Sequence, residues 1–179
     1  MADALNPVVA VVPGDAAGAV TLASASFTRP ADTTAYGVGD LVANSTTAGS
    51  VVAMSLAGMA QRAGGGGKIV GARLRKSGTG TTNAAFRVHL FSAAPATITN
   101  GDNGAFLPSG VADYIGALDV TIDRAFTDGA FGRGMALTGN FLDYVTGAST
   151  TLYALLEARG AYTPISAEVF TLTLAALPD

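Results

Sequence analysis

Strict alternation of apolar and polar side chains recurs along this chain, and a period of two commits a segment to a half-buried β-strand. In AAFRVHLF, Phe86, Val88 and Leu90 fall on one face and Arg87 and His89 on the other. KIVGARLRK sets Val70, Ala72 and Leu74 against Arg73 and Arg75. YIGALDVTI gathers Leu118, Val120 and Ile122 opposite Asp119 and Thr121, and EVFTLTLAAL sets Phe170, Leu172 and Leu174 against Val169, Thr171 and Thr173. TLYALLEAR is apolar on both sides, with Leu152, Ala154 and Leu156 opposed to Tyr153, Leu155 and Glu157. That pattern predicts a central strand, one face of which is expected to hide in a subunit contact. AVTLASASF, YGVGDLV and SVVAMSLAG supply further strand candidates bounded by turn-forming residues. Met54, Ala57, Gly58 and Gln61 also have helical spacing, but the adjacent glycine run Gly64 to Gly67 reads as a flexible hairpin loop and favours a strand there.

Many short strands without alternating helices or internal repeats predict an all-β fold, an antiparallel β-sandwich of jelly-roll type. No composition shift marks a second domain. The expected organisation is an extended N-terminal arm over residues 1–21 and a single sandwich domain over residues 22–179. The arm's NPVVAVVPGD places β-branched residues between two prolines, a pattern suited to adding a strand at an exposed sheet edge. Val8, Val9, Val11 and Val12 are therefore candidate partner contacts.

Composition narrows the partners. The chain has no cysteine, which removes disulfides, thiolate metal sites and cysteine nucleophiles. Charged residues make up 13%, about half the share usual for soluble domains, so part of the surface is expected to meet another protein. A net charge of −3 argues against nucleic acid as the main partner. The uncharged run from Leu41 to Gln61 contains NSTTAGS, whose polar side chains are costly in hydrocarbon, so no membrane span is expected. MADALNPVV has neither the basic leader nor the apolar run of a signal peptide.

None of the motifs that carry chemistry is complete. AGGGGKIV resembles a phosphate loop, but Arg62 stands where its first glycine belongs and Ile69 where its Ser/Thr belongs. TNGDNGAF echoes a calcium loop in Asn100, Asp102 and Asn103 without the further carboxylates, and a tight Asx-type turn is the better reading. His89 is the only histidine; it reads as a satisfied surface or interface residue, not as a triad base. Glu157 and Glu168 sit near separate late strands and read, with the scattered aspartates, as turn and solvent-facing acids instead of a glycosidase pair. No cofactor, no metal and no enzymatic activity are expected. Arg73, Arg75 and Lys76 form the only dense basic cluster, either pairing with acids on a neighbouring molecule or standing as an ordinary solvated strand end.

SFTRPADTTAYGVGDLVANS, from Ser26 to Ser45, holds an arginine, two aspartates and a tyrosine in an extended, turn-rich stretch. Arg29 before Pro30 is disposed to be extended, Asp32 with Thr33 and Thr34 can close a side-chain-capped turn, and Tyr36 is an aromatic anchor. Together they read as a structural strap, and Arg29 and Tyr36 are further candidate partner contacts. The pattern F-T-R-P-A-D-T-T-A-Y followed by G-D-L-V-A-N-S resembles a segment of structural proteins of tailed bacteriophages. RLRKSGTGTTNAAFRVHLF, GDNGAF and LLEARGAYTPISAEVFTLTL are similar to the same group, so the resemblance runs from about Ser26 to Leu174. It implies a jelly-roll decoration, or cement, protein on the outer surface of the virion's capsid, a homotrimer whose partner is the major capsid protein. A tail-fibre or receptor-binding β-sandwich is the alternative, weakened by the absence of tryptophan and an aromatic content of 7%.

Overall fold

The computed structural model describes residues 19–136 and 141–179. Ten strands follow in chain order: β1 (Thr21–Thr28), β2 (Leu41–Val42), β3 (Met54–Leu56), β4 (Gly66–Lys76), β5 (Ala85–Phe91), β6 (Tyr114–Phe126), β7 (Gly129–Ala136), β8 (Leu142–Val145), β9 (Leu152–Ala158) and β10 (Val169–Pro178). The pairings between them are antiparallel. The sheet runs β1-β10-β4-β7-β6-β5-β9-β2, with β3 also on β9 and β8 also on β4.

This one curled sheet forms two layers. Phe86 of β5 meets Phe170 of β10 edge-on at 5.3 Å, although β4, β7 and β6 separate those strands in the sheet, so the sheet folds back over a shared core. One layer is β1-β10-β4-β7 and the other is β6-β5-β9 with β2 and β3, joined by the β6–β7 hairpin. The chain crosses between layers at most of its connections, which is the wrapping of a jelly roll. Phe86, Val88, Leu118, Val120, Ile122, Phe170, Leu172 and Leu174 all line the interior, as their alternation predicts.

β9 is central, as expected, with both faces covered. Its second face, however, is covered by the chain itself: Leu155 packs with Leu41, Ala43, Phe91 and Ile98, and Phe106 and Tyr153 close over them. The expected subunit contact at this face is therefore corrected, because those apolar side chains already have intramolecular partners.

Other expectations shift in detail. Met54–Leu56 is a strand, not a helix, and only Leu41–Val42 of YGVGDLV is extended in the sheet. In β4 the inward residue is Ile69, and Val70 is half-exposed, because a bulge opposite Ala175 and Ala176 inserts one residue and flips the register. The glycine run is not a hairpin loop, since β3 and β4 do not pair and Gly66 and Gly67 lie inside β4. A Cβ on Gly67 would come within 2.6 Å of both the Tyr144 hydroxyl and the Leu177 carbonyl. Glycine is needed there for close approach, not for flexibility.

Candidate functional site

The strap is where the sequence concentrates polar residues, and the structure buries them. Arg29 and Tyr36 are each only 2% exposed. Arg29 donates to the Tyr36 hydroxyl (2.9 Å), to Asp102 Oδ2 (3.0 Å) and to Asp32 Oδ1 (3.0 Å). Tyr36 and the Ala43 N–H each donate to Asp102 Oδ1 at 2.7 Å. Burial opposes the charge on Arg29, but the bonds to Tyr36 and Asp32 and the nearby Asp102 outweigh it and keep the guanidinium protonated. The strap reading stands, including the Asx turn in which Asp32 accepts from the Thr34 N–H at 2.9 Å. Two expectations are corrected. Arg29 and Tyr36 cannot contact a partner, because every polar atom of theirs faces inward. The Asp102 side chain does not close its own turn; Asn103, in the left-handed region at φ 64°, shapes that turn while Asp102 anchors the strap.

Both glutamates are buried as well, contrary to the solvent-facing reading. Glu168 accepts from Lys76 Nζ (3.1 Å), the Gly78 N–H (3.1 Å) and the Tyr162 hydroxyl (2.7 Å), with both charged side chains fully enclosed. Burial lowers the Lys76 pKa, against the pull of Glu168. His89 is likewise buried rather than superficial. Its Nε2 lies 2.8 Å from Glu157, its Nδ1 lies 3.1 Å from the Tyr114 hydroxyl, and its ring stacks on Phe106. Burial lowers its pKa despite Glu157. Both ring nitrogens are engaged, and neither engages a serine. Among the described residues, no group of three or more histidine and carboxylate side chains is placed to hold a metal ion.

What remains open is a sheet face. The outer side of the second layer is covered by the Leu41, Ile98 and Phe106 cluster, whereas among the described residues nothing covers the outer side of β1-β10-β4-β7. The register lays two rows across it and onto β6. One is Ser24, Thr173, Arg73, Arg133 and Thr121; the other is Ser26, Thr171, Arg75, Phe131 and Arg124. The hydroxyls pair with one another, Ser24 with Thr173 at 2.7 Å and Ser26 with Thr171 at 2.9 Å. The arginines are exposed and make no ion pair with a described residue, although Arg73 and Arg133 are directly opposite.

Arg73 and Arg75 thus lie where the alternation placed them, on one exposed face. Arg124, Arg133 and Phe131 were not anticipated, although the spacing in FGRGMA marks Phe131 and Arg133 as same-face residues. Val8, Val9, Val11 and Val12 lie outside the described residues. Beside Arg75 the face dips into an open groove of about 500 Å³ lined by Phe126, Phe131, Val169 and Thr171.

Like charges directly opposite across antiparallel strands are destabilising. Arg133→Glu is therefore expected to stabilise the protein by about 0.2–1 kcal/mol, raising the melting temperature by up to about 4 °C. A lower melting temperature would mean that Arg133 has an unseen favourable partner.

No protein-family model matches this sequence, and no curated protein is detectably similar to it.

Proposed function

We propose that this protein is a structural, non-enzymatic component of a phage virion, a decoration or cement protein that binds the outside of the capsid and stabilises the shell. The observation that carries the reading is the outer face of β1-β10-β4-β7, uncovered among the described residues, whose arginines make no ion pair within them. The resemblance of the strap and the later strands to phage structural proteins gives that surface its context. A cement protein needs area more than chemistry, because weak contacts repeated by symmetry add up through avidity. The polar clusters fit this role: the Arg29, Lys76 and His89 networks are internally saturated and act as stiffeners.

The proposed trimer rests on the resemblance alone, since the β9 face that suggested it is internally covered. The test is co-sedimentation of the purified protein with capsids that lack it, with light scattering of the free protein. Saturable binding with raised capsid melting temperature is expected. Absence of binding to any capsid, tail or shell preparation would remove the reading, and binding to tails or host cells only would move it to the receptor-binding class.

A further inference from the structure

Of the chain's 10 lysines and arginines, Arg29, Lys68, Lys76, Arg87 and Arg159 are ion-paired among the described residues. The others are Arg62, in the turn before β4, and Arg73, Arg75, Arg124 and Arg133, which all stand on the uncovered face. Four of the five cations that lack an ion pair among the described residues thus stand together in a protein of net charge −3, two of them in an unfavourable cross-strand register. The acids nearest in register do not relieve it. Asp119 accepts from Arg87 Nε at 2.7 Å and Nη2 at 2.9 Å, and among the described residues neither Asp123 nor Asp128 bonds an arginine.

We propose that this face recognises carboxylates: it takes an extended acidic segment of a partner protein, with one apolar side chain seated in the groove beside Phe131. Arg73 and Arg75 are two residues apart on β4, about 6.6 Å along the strand. Alternate side chains of an extended segment have the same spacing, so successive carboxylates can meet successive arginines. Arg133 faces Arg73 across the strand gap and can share its carboxylate, each guanidinium offering a planar fork. Arg124 stands opposite Phe131 on β6, and Phe126, Phe131 and Val169 give the groove an apolar wall; Asp128 also lines it, which favours an apolar side chain of the segment there over a carboxylate. A phosphate chain fits less well, because it has no apolar side chain to seat against Phe126, Phe131 and Val169 in the groove.

This inference rests on the reading of the face as an attachment surface, and its test separates the two. The full-length protein is titrated into a short labelled peptide alternating glutamate and serine around a central leucine, and in parallel into the serine-only peptide and double-stranded DNA. Binding of the acidic peptide is expected, weakened about tenfold by Arg133→Glu and by at least as much by Arg73→Gln with Arg133→Gln, with melting curves showing that the variants remain folded. Replacement of the central leucine by serine is expected to weaken binding several-fold. No binding of the acidic peptide, equal binding of the serine-only peptide, or tighter binding of DNA would each overturn the inference. Capsid binding that survives both arginine variants would likewise overturn it while leaving the decoration reading intact.

Discussion

Glu168→Ala is expected to lower stability by about 3–5 kcal/mol, the usual effect of removing one partner from a buried ion pair. For a chain of this size that is a fall of about 6–20 °C in melting temperature. The effect is large because Glu168 is the common acceptor for Lys76 Nζ, the Gly78 N–H and the Tyr162 hydroxyl, all inside the sandwich. Removing it strands an ammonium that burial already disfavours, and the Tyr162 ring 4.8 Å from Nζ is weak compensation. Lys76→Met combined with Glu168→Leu and Tyr162→Phe should recover at least half of the loss, because an apolar substitute of similar volume removes the stranded charge. Thermal denaturation of the single and triple variants checks both statements. A single variant that melts within about 2 °C of the parent would mean that the pair contributes nothing to the fold.

The alternation in β5, β6, β9 and β10 was legible because each of these strands presents an unbroken apolar row to the core. β7 was not, for a physical reason. Beyond Ala130 its inward positions are Gly132 and Gly134, where a Cβ would run into the carbonyls of Thr121 and Asp119. The apolar half of the pattern is therefore reduced to an alanine and two glycines, too weak to show that the same-face spacing of Phe131 and Arg133 belongs to a strand. The short β8 offers only Leu142 and Tyr144 as inward candidates. Buried charge was illegible for a different reason. Glu168 lies 92 residues from Lys76, and Asp102 lies 73 residues from Arg29, so local pattern carries no sign that either acid has a partner. Pattern reading therefore assigned to turns and solvent two acids that the fold buries as hydrogen-bond acceptors. It succeeded for Arg73 and Arg75, whose exposure follows from the register of their own strand.

Asp102→Ala is expected to be as damaging as Glu168→Ala, about 3–5 kcal/mol, and it tests what the arginine, aspartate and tyrosine of the strap are for. Asp102 Oδ1 accepts from Tyr36 and the Ala43 N–H, and Oδ2 accepts from Arg29, so the alanine leaves two buried donors without that acceptor and takes from the buried guanidinium one of its two carboxylate partners. The bonds tie the segment after β1 to the turn at Asn100–Gly104 and to the end of β2, which are far apart in sequence. Graded effects should follow the geometry. Tyr36→Phe removes one donor and one acceptor from the network and is expected to cost about 1–3 kcal/mol. Asp32→Ala removes a partner whose side chain is 38% exposed and should cost about 1 kcal/mol or less. That ordering, Asp102 above Tyr36 above Asp32, is what a structural strap requires. If these residues served a partner directly, the stability effects would be small and the loss would appear in capsid binding by variants that melt like the parent. Melting temperatures and capsid occupancy measured on the same three variants distinguish the two outcomes, because a strap moves the first and a contact surface moves only the second.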